Sequence, residues 1–222
     1  MASAPLEDYA LLGDLHTAAL VSRTGSIDWL CLPRFDSGAC FAALLHDESA
    51  GHWRIAPAGG GPATRRGYRG DTLIVDTEWD TPDGSVRITD FMPPRGRTAD
   101  LIRIVEGLSG RVAMRMDLVI RFDYGHVVPW VRRSADGLIA IAGPDTLCLQ
   151  TPVDVHGEGW SSVAEFTVAA GDRIPFVLTH APSHLLPDTV RGQAQHALAK
   201  TESFWQNWIT RCSYRGEWAP AV

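Results

Sequence analysis

A mainly β protein, built as a two-sheet antiparallel β-sandwich, follows from three observations on this 222-residue chain. Apolar and polar residues alternate in many short runs, as on strands with two different faces. Turn residues separate those runs every eight to twelve positions. Only two stretches break the rhythm toward helix. About a dozen strands exceed what one flat sheet accommodates, so two packed sheets are expected.

The first strand-like runs are Thr17–Ser22, Ser26–Leu32, His52–Ala56 and Thr72–Trp79. Ser85–Met92 follows, where Val86, Ile88 and Asp90 alternate with Arg87, Thr89 and Phe91. Leu101–Gly107 and Val112–Phe122 come next; in the second, Met114, Met116, Leu118 and Ile120 alternate with Arg115, Asp117, Val119 and Arg121. Trp130–Arg133, Leu138–Ala142, Thr146–Thr151, Ser162–Val168 and Ile174–His180 complete the set. Asp83-Gly84 and Asp136-Gly137 supply the positive φ of tight hairpins. Thr24-Gly25, Ser109-Gly110 and Gly171-Asp172 read as turns of the same kind. The first break, over 37–46, carries Phe41, Leu44 and Leu45 at helical spacing behind Asp36 or Ser37 as cap, which predicts a short helix. The second predicts a long helix from Asp188, with Val190, Ala194, Ala197, Leu198, Trp205, Trp208, Ile209 and Cys212 on one stripe.

Composition narrows the function classes. Hydrophobic residues make up 45% and charged residues 21%, so wholesale disorder is excluded. A net charge of −6 disfavours non-specific binding to nucleic acid or anionic lipid. No run of about eighteen apolar residues offers a membrane span, and the N-terminus lacks the pattern of a signal peptide, which gives the cytosol as the expected compartment. Cys31, Cys40, Cys148 and Cys212 show no C-x-x-C spacing and read as small core hydrophobes, with a Cys31–Cys40 bridge as the alternative.

Catalytic motifs are scarce. The chain has no G-x-S-x-G elbow, H-E-x-x-H, P-loop or G-x-G-x-x-G. His180 and His184 are four apart, but Pro182 between them breaks the helical geometry that a metal pair needs. Gly59-Gly60-Gly61, bracketed by prolines, reads as a surface loop. No cofactor is expected, and no metal. Tyr124 and Trp130, among nearby arginines, have the flat apolar faces with polar handles of a sugar platform, and equally the character of core or interface residues. Asp28 lies in an otherwise apolar strand and needs a partner if buried. Arg34 and Asp36, on the exit loop Pro33–Ser37, are placed either for a structural ion pair or for contact with a polyol, the loop being a candidate to reach toward substrate.

The run DYALLGDLHTAALVSRTGSIDWLCLPRFDSGACFAALL resembles the N-terminal domain of the bacterial glucoamylase and trehalase-like proteins of glycoside hydrolase family 15. The resemblance continues through HWRIAP, RGDTLIVDTEW, ITDFMP, LIRIVEGLSGRVAMRMDLVIRFDYG and VPWV to TESFWQNWITRCSYRGEW. It implies a β-sandwich front domain over 1–186 and a linker helix and tail over 187–222, leading to an absent catalytic (α/α) barrel. In such enzymes two glutamates on barrel loops act as general acid and general base of an inverting hydrolysis. No residue here matches the barrel motifs, so no catalytic residue is carried over and the chain by itself is expected to be inactive. The implied partner is the barrel of the same parent chain, docked on Phe204, Trp205, Trp208 and Trp218, with an α-glucoside as ligand. Trehalose and maltooligosaccharides are both open as the parent's substrate. Cut off from the barrel, that aromatic surface would favour self-association. A stand-alone carbohydrate-binding module is the competing reading.

Overall fold

The computed structural model describes residues 4–185, 193–214 and 216–217. Strands β1 (Tyr9–Gly13), β2 (Ala18–Ser22) and β3 (Ser26–Cys31) form a meander, followed by the short β4 (Ala39–Phe41) and by β5 (His52–Pro57). A second meander comprises β6 (Arg65–Tyr68), β7 (Val75–Thr81) and β8 (Gly84–Phe91), and leads into β9 (Ala99–Val119), which is 21 residues long. Then come β10 (Trp130–Ser134), β11 (Gly137–Ala142) and β12 (Asp145–Gln150), followed by β13 (His156–Glu158), β14 (Ser161–Ala169) and β15 (Arg173–Pro182). The helix α1 (Ala194–Ile209) follows. No helix among the described residues is long and apolar enough to cross a membrane.

Every strand pairing is antiparallel, and β9 belongs to both layers. Its first half lies between β8 and β15, and its second half between β5 and β14. The expected strands Leu101–Gly107 and Val112–Phe122 are therefore one strand. Ser109-Gly110 does not reverse the chain: Gly110 takes φ 63° as a local kink, because hydrogen-bonding partners continue on both sides. The main core lies between the layers, with Val21, Ile27, Trp53 and Met116 from one and Ile88, Val105, Leu147 and Leu178 from the other.

The two halves of β9 read differently because their outer faces meet different things. Val112, Met114, Met116 and Leu118 point into the core while Arg111 and Ala113 are exposed, which gives clean alternation. Ile102 and Ile104, on the outer face of the first half, are buried with Ile74, Phe91 and Val177, and Ala194, Ala197 and Leu198 of α1 pack on them. A strand covered on both faces shows an apolar run instead of alternation.

The helix expected over 37–46 is absent. Ala39–Phe41 is strand β4, paired with β3, and a turn follows in which Leu45 N–H donates to Ala42 O at 3.0 Å. A short apolar run fits a buried strand as well as a helix. Here neighbouring strands decide: Cys40 O accepts from Arg121 N–H, Ala39 O from Tyr124 N–H, and Ala42 N–H reaches Gly51 O. The long helix is observed over Ala194–Ile209; its expected start at Asp188, with Val190, lies outside the described residues. Cys31, Cys40 and Cys148 are buried thiols without a disulfide.

On the outer face of the second layer, charges alternate across neighbouring strands. Glu78 accepts from Arg65 at 2.9 Å and from Arg87 at 2.6 Å, and Glu106 from Arg173 at 2.6 Å, with Arg87 at 3.6 Å from Glu106. Burial alone would push the Glu78 carboxyl up, but Arg87 and Arg65 outweigh it and hold it below the ordinary glutamate range. A depressed native value means stability that is present above the unfolded value near pH 4.3 and lost as pH falls through the native one. In urea titrations between about pH 5 and pH 3, the wild-type midpoint should therefore fall more steeply than that of Glu78→Gln. Parallel slopes would show that the network contributes nothing.

Candidate functional site

Three surfaces carry the chemistry that the sequence singles out. The first is the loop end around Pro33–Ser37, which is anchored by a buried carboxylate. Asp14 is fully buried; its Oδ1 accepts the N–H groups of His16 at 2.9 Å and Thr17 at 2.8 Å, and its Oδ2 accepts Arg95 Nε at 2.6 Å. Arg95 Nη2 then donates to Pro33 O at 2.6 Å, and Phe35 N–H donates to His16 O at 3.1 Å. One hub thus fixes three segments, and a residue held in this way keeps its place on a loop.

On that base Arg34 and Asp36 form a two-point pair, Nε to Oδ1 at 2.9 Å and Nη2 to Oδ2 at 3.0 Å, both side chains largely in solvent. Phe35 between them is exposed, as is Leu15, which takes φ 75°. Beside the loop a cleft of about 400 Å³ is lined by Pro33, Ser37, Phe122, Asp123, Val127 and Asp145. Asp145 Oδ1 lies 2.8 Å from His180 Nε2. Asp28 finds its partners in the hydroxyls of Tyr9, at 2.7 Å, and Ser26. Burial, followed by the Asp28 contact, raises the Tyr9 phenol above its ordinary value.

The second surface separates two residues that the sequence suggested as one platform. Tyr124 belongs to the loop end, its ring centroid 6.0 Å from that of Trp29. Trp130 instead lines a different cleft, of about 360 Å³, together with Trp160, Arg121, Arg132 and His156. Trp130 is 72% exposed and Trp160 79%. Arg121 is nine-tenths buried and donates to Ile120 O at 2.7 Å and Trp160 O at 3.5 Å, both carbonyls. Burial alone pulls its guanidinium below the ordinary value, and among the described residues no carboxylate pairs with it. Trp160 escaped the sequence reading, although a tryptophan between Gly159 and Ser161 sits where a turn holds it at the surface.

The third surface is the aromatic end of α1. Thr201 and Trp205 continue the buried stripe begun by Ala194, so Trp205 lies within the chain, while Phe204 is half-buried and Trp208 is 45% exposed. The three rings touch, with centroids 5.1 to 6.2 Å apart, and the Arg211 guanidinium lies 4.5 Å from the Trp208 ring. The Trp205 indole N–H is buried without a hydrogen-bond acceptor among the described residues. Trp218 lies outside them.

Residues 1–205 match the family model described as trehalase-like, N-terminal. The trehalases of Mycolicibacterium smegmatis and Mycobacterium tuberculosis are 34% and 33% identical to this chain, each over 92% of it. The trehalase of Thermoplasma volcanium is 24% identical over 98%. In each case the matched region is only part of the relative, 34%, 34% and 36% of its length. The chain spans about a third of the length of the curated relatives it matches.

Proposed function

The chain belongs to the trehalase-like N-terminal domain family, and from that membership we propose that it is the non-catalytic front domain of a family 15 glycoside hydrolase. Its task is to pack on the catalytic barrel and stabilise it, while the barrel carries the glutamates. The carrying observation is that the match runs over 92% of this chain but only 34% of the relative, which leaves most of such an enzyme for the chemistry. The parent's substrate is taken to be trehalose in preference to maltooligosaccharides, because the relatives matched over the β domain are trehalases.

Glycoside hydrolysis needs a carboxyl group free to give or take a proton on each side of the bond. At the loop end Asp36 is engaged by Arg34, Asp14 by Arg95 and Asp145 by His180, which leaves Asp123 as a single cleft-lining carboxylate outside these pairs, not the two that hydrolysis needs. That arrangement suits a rigid wall of a cleft, with Arg34, Phe35 and Asp36 at its rim. On the docking side, Trp208 and Phe204 offer apolar area, backed by the buried Trp205 ring. Left without the barrel, the same face promotes self-association.

Co-expression of this chain with the catalytic region of the parent enzyme tests the reading. The two should co-purify and hydrolyse trehalose together, the chain alone should not, and Trp208→Asp should weaken the association by about tenfold or more. Trehalose hydrolysis by the chain alone, or full activity of the catalytic region without association, would overturn it.

A further inference from the structure

The cleft between Trp130 and Trp160 is lined by no residue of α1, and it brings together aromatic, basic and hydroxyl side chains that suit a ligand. We propose that it binds a saccharide carrying a negative charge, a phosphate or a carboxylate, with the indoles against the sugar and Arg121 on the anion. The two tryptophans are the most exposed large apolar side chains among the described residues, and both line one concave site. Its volume of about 360 Å³ falls within the range of small-molecule sites, roughly 300–1,000 Å³. Indole faces match the C–H face of a pyranose while leaving the hydroxyls free. His156, Ser161 and Ser162 line the same cleft and provide hydrogen-bonding groups for those hydroxyls.

Arg121 supplies the preference for charge. A nearly buried guanidinium with only carbonyl partners is an uncompensated cation, which is costly to maintain. Its planar fork matches phosphate and carboxylate oxygens two at a time. Arg132 adds a second positive group at the rim, whereas Arg133 is already engaged by Asp154. The Arg121 contact with Trp160 O also ties the cation to the turn that carries one of the stacking rings, since Gly159 (φ 60°) and Trp160 link β13 to β14. Anion and sugar are thereby read by segments in direct contact.

Calorimetric titration of the 222-residue chain with glucose 6-phosphate, glucuronate, maltotriose and inorganic phosphate tests this directly. Both charged sugars should bind, with maltotriose and inorganic phosphate each weaker than glucose 6-phosphate by about tenfold or more. Trp130→Ala and Trp160→Ala, both at exposed positions, should each weaken glucose 6-phosphate by about tenfold. Arg121→Gln should abolish the preference for charged over neutral sugar. The tryptophan variants keep the test open if the buried arginine proves necessary for folding.

Any of four results would overturn the proposal. These are no binding of either charged sugar at about 10 mM, maltotriose binding as tightly as the charged sugars, inorganic phosphate matching glucose 6-phosphate, or tryptophan variants that bind as the wild type does. Every measurement is made on this chain alone, so the result is independent of whether a barrel docks on α1.

Discussion

Replacing Arg103 by methionine will destabilise the domain by about 3–5 kcal/mol, the range for removing one member of a buried ion pair. Arg103 and Asp90 are both fully buried, joined at 2.8 Å and 3.2 Å. The guanidinium also donates to Trp53 O at 2.6 Å and Gly25 O at 2.7 Å, and lies 5.2 Å from the Trp53 ring centroid. Its loss strands a carboxylate in the core and takes a donor from two carbonyls, of which Gly25 O keeps the Ile55 N–H. Total stabilities of single domains run at about 5–15 kcal/mol, so the urea midpoint should drop by a large fraction of its wild-type value.

Burial pushes the Asp90 carboxyl up against the pull of Arg103. Without the arginine that rise is unopposed. The variant's native state then favours the protonated acid, so its deficit should be smallest at low pH and grow as pH rises through the native value. The double variant Asp90→Leu, Arg103→Met should recover much of the loss, because an apolar pair leaves no buried charge. A single variant within about 1 kcal/mol of wild type would show that the pair is not sealed from water.

Gly107→Ala will have a comparable effect for a steric reason. A Cβ there would lie 2.0 Å from Ala169 O and 2.7 Å from Val168 Cγ1. The obstacle is main chain, held by Gly107 N–H to Asp172 O and by Gly171 N–H to Gly107 O. Backbone cannot swing aside as a side-chain tip can. The β14–β15 turn must therefore lift from β9, with a loss of about 3 kcal/mol or more. Thermal unfolding checks this: a melting temperature close to wild type would mean that the turn yields freely.

Much of the β architecture was legible because alternation and turn chemistry are local. The hairpins at Asp83-Gly84 and Asp136-Gly137 appear where the dipeptides put them. The unity of β9 was not legible, since Ser109-Gly110 has the same chemistry as a true turn and only the flanking strands distinguish kink from reversal. Residues 39–41 lay beyond local reading for the same reason: their partners are Leu30 and Cys31 on β3.

The site divides along the same line. Arg34 and Asp36 are neighbours in sequence, and their pairing could be read there. Asp14 and Arg95 are 81 positions apart, so the hub that fixes their loop could not. Trp130 and Trp160 sit on separate elements, and sequence proximity favoured Tyr124 as the partner instead.

Neither layer of the domain can open while the other stays shut, because each uses the same polypeptide as an inner strand. Local unfolding is therefore confined to the margins, at β1, β4, β6, β10 and the short β13. Amide protons along β9, whose strand partners flank it on both sides, exchange only when the whole domain comes apart. A protease therefore finds no native substate in which half of the sandwich is exposed to it.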